Sequence, residues 1–465
     1  MPAARNERNF VRHFDHVLVG TGQATGTLIA GLTGRGESIA VIEGAEIGGT
    51  CVNTGCTPTK TLLASARTAH VARGAPAYGV LTGKVEIDFA RVMARMNEIR
   101  HGSRDGLKSW LEGLDDVTLF RSWARFKGPR RLCVGEGAIE GERIYLNVGA
   151  RAREPRIPGA EDVLWLHNRS ILELTELPEH LVIAGGSYIG LELGQVFRRF
   201  GSRVTVIAPD VMPREDEDVA ARARDILEAE GIEFRLGAMV EGLASRADGS
   251  VEVACRSDDR IETVGGSHVL FAIGRHPNVD RLDLEAAGIE TDERGYIQVD
   301  DHLRTNVEGV FALGDVNGQG AFTHTSVNDA EILLDTLDGG PRSLSDRIPI
   351  YGMFIDPPLG RIGMTEREAR ECGHRVLKAT REMKRISRAK EMGETDGFVK
   401  LLVDADTDLV LGVSILGVHG DEIINMFAAI MYSGIPCHEY RKVVLVHPTV
   451  SELMPWILDD LEPVD

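Results

Sequence analysis

The stretch DHVLVGTGQATGTLIAGL, Asp15 to Leu32, reads as a buried strand, a glycine turn and a helix. Within Gly20-Thr21-Gly22-Gln23-Ala24-Thr25-Gly26, the first glycine permits the tight turn. The second lets backbone approach a pyrophosphate seated on the helix N-terminus. Thr25 replaces the third glycine of such a fingerprint, and Gly26 comes one position late. The next strand, SIAVIEG, brings Glu43 to its tip, where a carboxylate can accept ribose hydroxyls. The pattern then recurs. HLVIAGGSYIGLELGQVFRRF, His180 to Phe200, carries a second turn through Gly185, Gly186, Ser187, Tyr188 and Gly190, and SRVTVIAPD repeats the second strand. Here the strand ends on Ala208 and Pro209 instead of an acid. An acid at that point favours NAD, whereas arginine accommodates the 2′-phosphate of NADP. Arg203 and Arg214 flank the site with Asp210 close by, so NADPH is expected ahead of NADH. Two βαβ starts imply two separate dinucleotide domains in one chain.

The remainder of the sequence sets the bounds. A chain of 465 residues exceeds one core, and a length prior suggests about three domains. The net charge of −19 is spread along the chain, which argues against a nucleic-acid or anionic-membrane partner. The first twenty residues carry charges throughout without an apolar core of signal-peptide length, and no long uncharged apolar run follows. A cytoplasmic location and no membrane partner are therefore expected. From about 58 to 115 the pattern is helical, and RLCVG and RIYLNVG suggest small antiparallel strands. IQVDDHLRTNVEGVFALGD leads to a strand ending at Asp315. After about 346, GFVKLLVD and VLGVSILG precede a helical tail, with Arg342 to Pro349 as connector.

Six cysteines occur, and only Cys51 and Cys56 lie close together; Cys133, Cys255, Cys372 and Cys437 are scattered singly. In a reducing compartment a close pair is more often catalytic or metal-binding than structural. Zinc lacks a second cysteine or histidine pair to complete four ligands. In Gly48-Gly49-Thr50-Cys51-Val52-Asn53-Thr54-Gly55-Cys56-Thr57-Pro58-Thr59-Lys60, Gly55 can supply the backbone angles that close so short a ring. Pro58 suits a first helical turn with Thr57 as cap. Cys56 then sits at a helix N-terminus, where the dipole favours thiolate.

GGTCVNTGCTPTK resembles the active-disulfide segment of the class I pyridine nucleotide-disulfide oxidoreductases, the family of glutathione reductase, dihydrolipoyl dehydrogenase and mercuric reductase. The resemblance covers nearly the whole chain. It implies FAD, with Gly49 and Thr50 at the flavin, Cys51 as the thiol that attacks substrate and Cys56 as the thiolate facing the flavin. Lys60 and Glu192 match the pair near the flavin and nicotinamide; Ala272 to Asn278, with Gly274 and Arg275, matches the turn closing the nicotinamide domain. Gly309 to Asp315 resembles the second flavin fingerprint, with Gly314 and Asp315 at the ribityl chain. His447-Pro448-Thr449-Val450-Ser451-Glu452 matches the C-terminal histidine–glutamate dyad, which in the family reaches the opposite subunit's site, so a homodimer is implied.

The implied fold is α/β, with two Rossmann-like dinucleotide-binding domains plus a C-terminal α+β dimerisation domain. Expected boundaries are 1–152 for the FAD domain, 153–280 for the NAD(P) domain, 281–348 for the return to the central domain and 349–465 for dimerisation. Mercuric reductases usually end in a paired cysteine, whereas here the last is Cys437 and the dyad histidine is present. Glutathione reductases carry an arginine on the helix after the first turn, which Thr27 to Leu32 lacks; dihydrolipoyl dehydrogenases carry the acid that Ala208 replaces. The implied activity is reduction of a small-molecule disulfide, with metal-ion or quinone reduction and dihydrolipoyl oxidation as alternatives.

Overall fold

The computed structural model describes residues 11–258 and 260–464. The strands begin with β1 (Val11–Val19), β2 (Ile39–Ile42), β3 (Val117–Phe120), β4 (Ala124–Gly128), β5 (Arg131–Val134), β6 (Gly137–Leu146) and β7 (Ala150–Ala152). They continue with β8 (His180–Ala184), β9 (Arg203–Ala208), β10 (Ile232–Leu236), β11 (Ala238–Ser245), β12 (Val251–Ser257), β13 (Arg260–Gly266) and β14 (His268–Phe271). β15 (Arg275–Pro277) and β16 (Val310–Ala312) follow, then β17 (Ile350–Met353), β18 (Leu359–Gly363), β19 (Val376–Glu382), β20 (Phe398–Asp404) and β21 (Val410–Leu416). Helices that bear on function are α1 (Gln23–Leu32), α2 (Gly49–Thr54), α3 (Cys56–Gly74), α4 (Phe89–Glu112), α5 (Tyr188–Phe200) and α6 (Glu217–Ala229), then α7 (Leu284–Ala287) and α8 (Thr323–Leu337).

The chain forms two compact units. One holds the segment ending at Thr61, Met93–Arg153 and Gly274–Arg347; the other holds Leu62–Val92, Glu154–Ile273 and the described residues from Ile348 onward. In the first, β3, β2, β1, β6 and β16 run parallel, and β5 and β4 extend the sheet antiparallel. Because successive side chains alternate between faces, Val17 and Val19 feed the core on one side while Leu18 feeds the other. A parallel strand covered on both faces is continuously apolar, which is what Val17-Leu18-Val19 encode. All five parallel strands end on one edge, so Gly20, Glu43 and Gly314 are brought to the same rim.

In the second unit β10-β9-β8-β14 form a parallel sheet beside the antiparallel β11-β12-β13. Its C-terminal part is a sheet in the order β17-β18-β21-β20-β19, extended by Glu462–Pro463, with the helix Gly420–Ser433 packed on it. The expected α/β class with its C-terminal α+β domain is what the structure adopts.

Three local expectations change. Only RIYL of RIYLNVG is in a strand, as the end of the ten-residue β6, which lies parallel to β1 along most of its length; only the start of β6 pairs antiparallel, with β5. The strand expected to end at Asp315 stops at Ala312, and Asp315 lies in the following turn of 3-10 helix, Gly314–Asn317. The helix expected from Pro58 starts at Cys56, so Thr57 is inside the helix and does not cap it.

Candidate active site

The redox pair lies in the first unit. Cys51 sits on the short helix α2, and Cys56 opens α3, with Gly55 between them. Gly55 is required by close approach, not by a left-handed turn. Its φ is −136°, and a Cβ there would lie 2.9 Å from the Thr50 carbonyl oxygen. Neither cysteine is oxidised in this structure. The Cys51 thiol donates to the Cys56 sulfur, and this hydrogen bond, helped by Thr323 and the Lys60 ammonium one turn along, lowers Cys56 to about 6. The same bond, with burial, pushes Cys51 far above the ordinary thiol range. The two sulfurs are therefore unequal: Cys56 is a stored thiolate, and Cys51 is a thiol that needs a base. Thr323, whose Oγ1 is 3.5 Å from the Cys56 sulfur, starts α8. Sequence reasoning missed it, because only the fold brings residue 323 to residue 56.

Around this pair the first unit offers a dinucleotide cradle. Gly20 has φ +99°, and a Cβ there would lie 2.3 Å from the Asn147 carbonyl oxygen. Gly49 approaches the Gly22 Cα so closely that a Cβ would stand 3.0 Å from it. Thr25 accepts a hydrogen bond from Asn147 Nδ2 at 2.9 Å and donates to the Gly20 carbonyl at 3.0 Å. The N-terminus of α1 has no side-chain cap and no acid in its first turn, so its N–H groups suit a phosphate anion. Glu43 Oε2 accepts from the Thr21 N–H and hydroxyl, and Oε1 from the Ala45 N–H at 2.8 Å. A carboxylate oxygen has two lone pairs, so Oε1 keeps acceptor capacity. Asp315 pairs with Arg275 at 2.9 Å; burial raises its carboxyl, and Arg275 opposes that rise. The buried Arg275 Nε has no hydrogen-bond partner among the described residues. Gly314 N–H donates to Asp329 at 2.7 Å, and Gly274, with φ +109°, turns the chain before Arg275. Pyrophosphate turn, ribose acid and second acid share one rim with the cysteines, and that donor set fits an FAD.

The second unit carries the other turn. Gly185 has φ +121°, and a Cβ on Gly190 would lie 2.3 Å from the Gly185 carbonyl oxygen. Ser187 precedes Tyr188 at the start of α5, which again lacks a side-chain cap and a first-turn acid. Arg203 does not flank the turn as expected: it begins β9, whereas the glycine turn lies beside that strand's other end, at Ala208. At ~3.3 Å per residue the strand puts it about 16 Å from that end. Arg214 is exposed, and Asp210 Oδ1 caps the Val211 N–H at 2.8 Å. Glu192, buried on α5, accepts from the Phe354 N–H at 2.8 Å. Lys60 belongs to the first unit and Glu192 to the second.

In the C-terminal part of the second unit, His447 Nδ1 meets both Glu452 oxygens, at 3.0 and 2.9 Å. The histidine side chain is 77% exposed and the glutamate only 13%, so the carboxylate orients a ring whose other nitrogen faces outward. Exposed Tyr432, Val444, Val446 and Trp456 surround this stretch in sequence. Among the described residues no cluster of three or more histidine, cysteine or acidic side chains could hold a metal, and no helix is long and apolar enough to cross a membrane.

Residues 14–330 match the pyridine nucleotide-disulphide oxidoreductase family, and residues 350–458 match that family's dimerisation domain. The chain belongs to this family of flavin- and nicotinamide-dependent oxidoreductases. It is 36% identical to the probable pyridine nucleotide-disulfide oxidoreductase RclA of Escherichia coli strain K12 over 450 residues, 94% of this chain and 97% of that protein. A dihydrolipoyl dehydrogenase of Thermus scotoductus is 32% identical over 95% of this chain and 96% of its own. Among solved structures, the HOCl-induced flavoprotein disulfide reductase RclA from Escherichia coli superposes with a TM-score of 0.86 at 35% identity, covering 96% of this chain and 99% of that one.

Proposed function

We propose that the protein is an FAD-dependent NADPH:disulfide oxidoreductase that acts as a homodimer in the cytoplasm on a small-molecule disulfide. The observation that carries this reading is the placement of the cysteine pair: Cys51 on α2 hydrogen-bonds Cys56 at the start of α3, where Thr323 and Lys60 favour the Cys56 thiolate. Gly20, Gly22, Glu43, Gly49, Thr50, Gly314 and Asp315 hold the flavin, with Arg275 supporting Asp315. Gly185, Ser187, Tyr188 and Gly190 hold the nicotinamide dinucleotide, and Arg214 beside the acid-free tip of β9 favours NADPH. When bound, FAD accepts hydride from the nicotinamide and passes two electrons to a disulfide.

The chain's own residues then complete the cycle. Reduction opens the Cys51–Cys56 bond, leaving Cys56 as thiolate, stabilised by the α3 N-terminus, Thr323 and Lys60. His447 of the partner subunit, oriented by its Glu452, takes the Cys51 proton. Cys51 attacks one sulfur of the substrate; the substrate S–S bond breaks, and the departing thiolate takes the proton from His447. Cys56 attacks Cys51, the bond between Cys51 and the substrate sulfur breaks, the intramolecular disulfide re-forms, and the second thiolate leaves and takes its proton from solvent. One NADPH and one proton are consumed for each disulfide reduced to two thiols.

Anaerobic titration of the holoenzyme with NADPH tests this. A long-wavelength absorbance should appear after two electrons, fade as pH falls through about 6, and be absent in Cys56→Ser. Bleaching of the flavin with no such band would refute the reading. A panel of glutathione disulfide, lipoamide, Hg(II) and Cu(II) then separates a disulfide acceptor from a metal ion; RclA from Escherichia coli, which this chain resembles, has been solved as a Cu(II) complex.

A further inference from the structure

The loop Pro209–Asp216 joins the tip of β9 to α6 and crosses the second glycine turn. Met212, in a left-handed conformation at φ 49°, donates its N–H to the Gly186 carbonyl at 2.9 Å. The Asp210 carbonyl lies so close that a Cβ on Gly186 would stand 2.3 Å from it. The Glu215 N–H returns to the Met212 carbonyl at 2.9 Å. At its far end the loop is pinned to the C-terminal domain of the same unit. Asp216 meets the buried Lys400 ammonium at 3.0 Å and accepts from the Glu366 N–H at 3.0 Å.

Glu215 is the unexpected member. Its side chain is 3% exposed and hydrogen-bonds the Tyr351 hydroxyl on β17, and burial pushes its carboxyl up to about 7. Arg361 on β18, equally buried, approaches Glu215 Oε2 only to 3.8 Å, beyond hydrogen-bond range. Among the described residues Glu215 Oε2 and Arg361 Nη2 have no hydrogen-bond partner. A buried carboxyl left half-satisfied costs stability, so replacing it with an apolar side chain would serve the fold alone better. It directly follows Arg214 in the loop that crosses the turn, and this position points to a task in the loop.

We infer that Glu215, held by Tyr351 and faced by Arg361, is a positioning residue that sets the nucleotide-reading loop, and with it Arg214, against the second glycine turn. This rests on that turn being the nicotinamide site. NADP+ binding to the dimeric holoenzyme, measured by calorimetry beside flavin content, is the test. Glu215→Ala and Tyr351→Phe should each raise the Kd for NADP+ about tenfold, as expected for one lost buried hydrogen bond, with flavin content unchanged. Glu215→Gln, which keeps an acceptor for the Tyr351 hydroxyl, should stay within about threefold of the parent. If Glu215→Ala does not fold, Tyr351→Phe carries the test. A lower Tm with an unchanged Kd in both variants would reduce Glu215 to a structural role. Failure of the parent enzyme to bind either NADP+ or NAD+ would instead overturn the site on which the inference rests.

Discussion

The two glycine turns have the same frame and solve the same crowding in opposite ways. Five residues after its first glycine, the turn of the first unit has Thr25 and the turn of the second has Gly190. In both, that residue meets the carbonyl of the first glycine. Thr25 donates its hydroxyl to Gly20 and takes a hydrogen bond from Asn147, whereas Gly190 can place no atom there without a 2.3 Å contact to Gly185. The first turn is thus cross-braced by polar side chains, with Thr21 and Glu43 adding two more bonds. The second turn is kept by steric exclusion, and the loop that crosses it is held from outside by Glu215 and Asp216. A braced cradle suits a cofactor that stays, and a bare turn with a separately anchored loop suits one that exchanges each cycle.

That contrast can be broken at several points. The largest effect is expected at the chemistry served by the braced unit. Cys51→Ser should lower disulfide turnover about a thousandfold or more, while NADPH still bleaches the flavin in stopped flow. Persisting disulfide turnover would put the reactive sulfur elsewhere. Next, Gly190→Ala should raise the KM for NADPH about a hundredfold, because displacement of the turn by about an ångström is enough for such a loss. Flavin content should not change; equal loss of both cofactors would mean that the turns are not independent. Thr25→Val is the mirror experiment. It removes both hydroxyl bonds and should weaken FAD about tenfold, read by fluorescence on reconstitution of apoprotein, with the NADPH KM unchanged.

The smallest effect concerns stability. Glu215 has a folded-state value of about 7 against an ordinary 4.5, so it favours the folded state below about 4.5 and loses that contribution as pH rises through about 7. Arg361 and Lys400 oppose the shift, while burial, Asp216 and Glu368 enlarge it. Relative to the parent, Glu215→Gln should gain stability between pH 5 and pH 8, by at most ~3 kcal/mol. Calorimetric Tm values at the two pH values check the sign.

Much of this was readable in advance, and for identifiable reasons. Both turns, the cysteine pair and the HPTVSE dyad are local: their partners lie within a few residues, and glycine, proline and cysteine carry strong geometric demands. The C-terminal strands GFVKLLVD and VLGVSILG were legible because their apolar runs are bounded by turns. Thr323, Asn147 and Glu215 were not. Each acts on a residue more than a hundred positions away, and nothing in the neighbouring sequence distinguishes a buried glutamate from the acids that flank it in PREDEDVA. RIYLNVG misled because an alternating run says nothing of whether its neighbour is parallel. Arg203 misled because charge was read without asking which end of the strand it occupies.

Disulfide turnover requires electrons to reach the two sulfurs from the nicotinamide. Free thiols should be counted in denatured samples quenched from anaerobic holoenzyme, before and after one equivalent of NADPH. The expected result is two new thiols per subunit, mapped by alkylation to Cys51 and Cys56 and absent when either is serine. A reduced flavin with no new thiols at these two positions would contradict it.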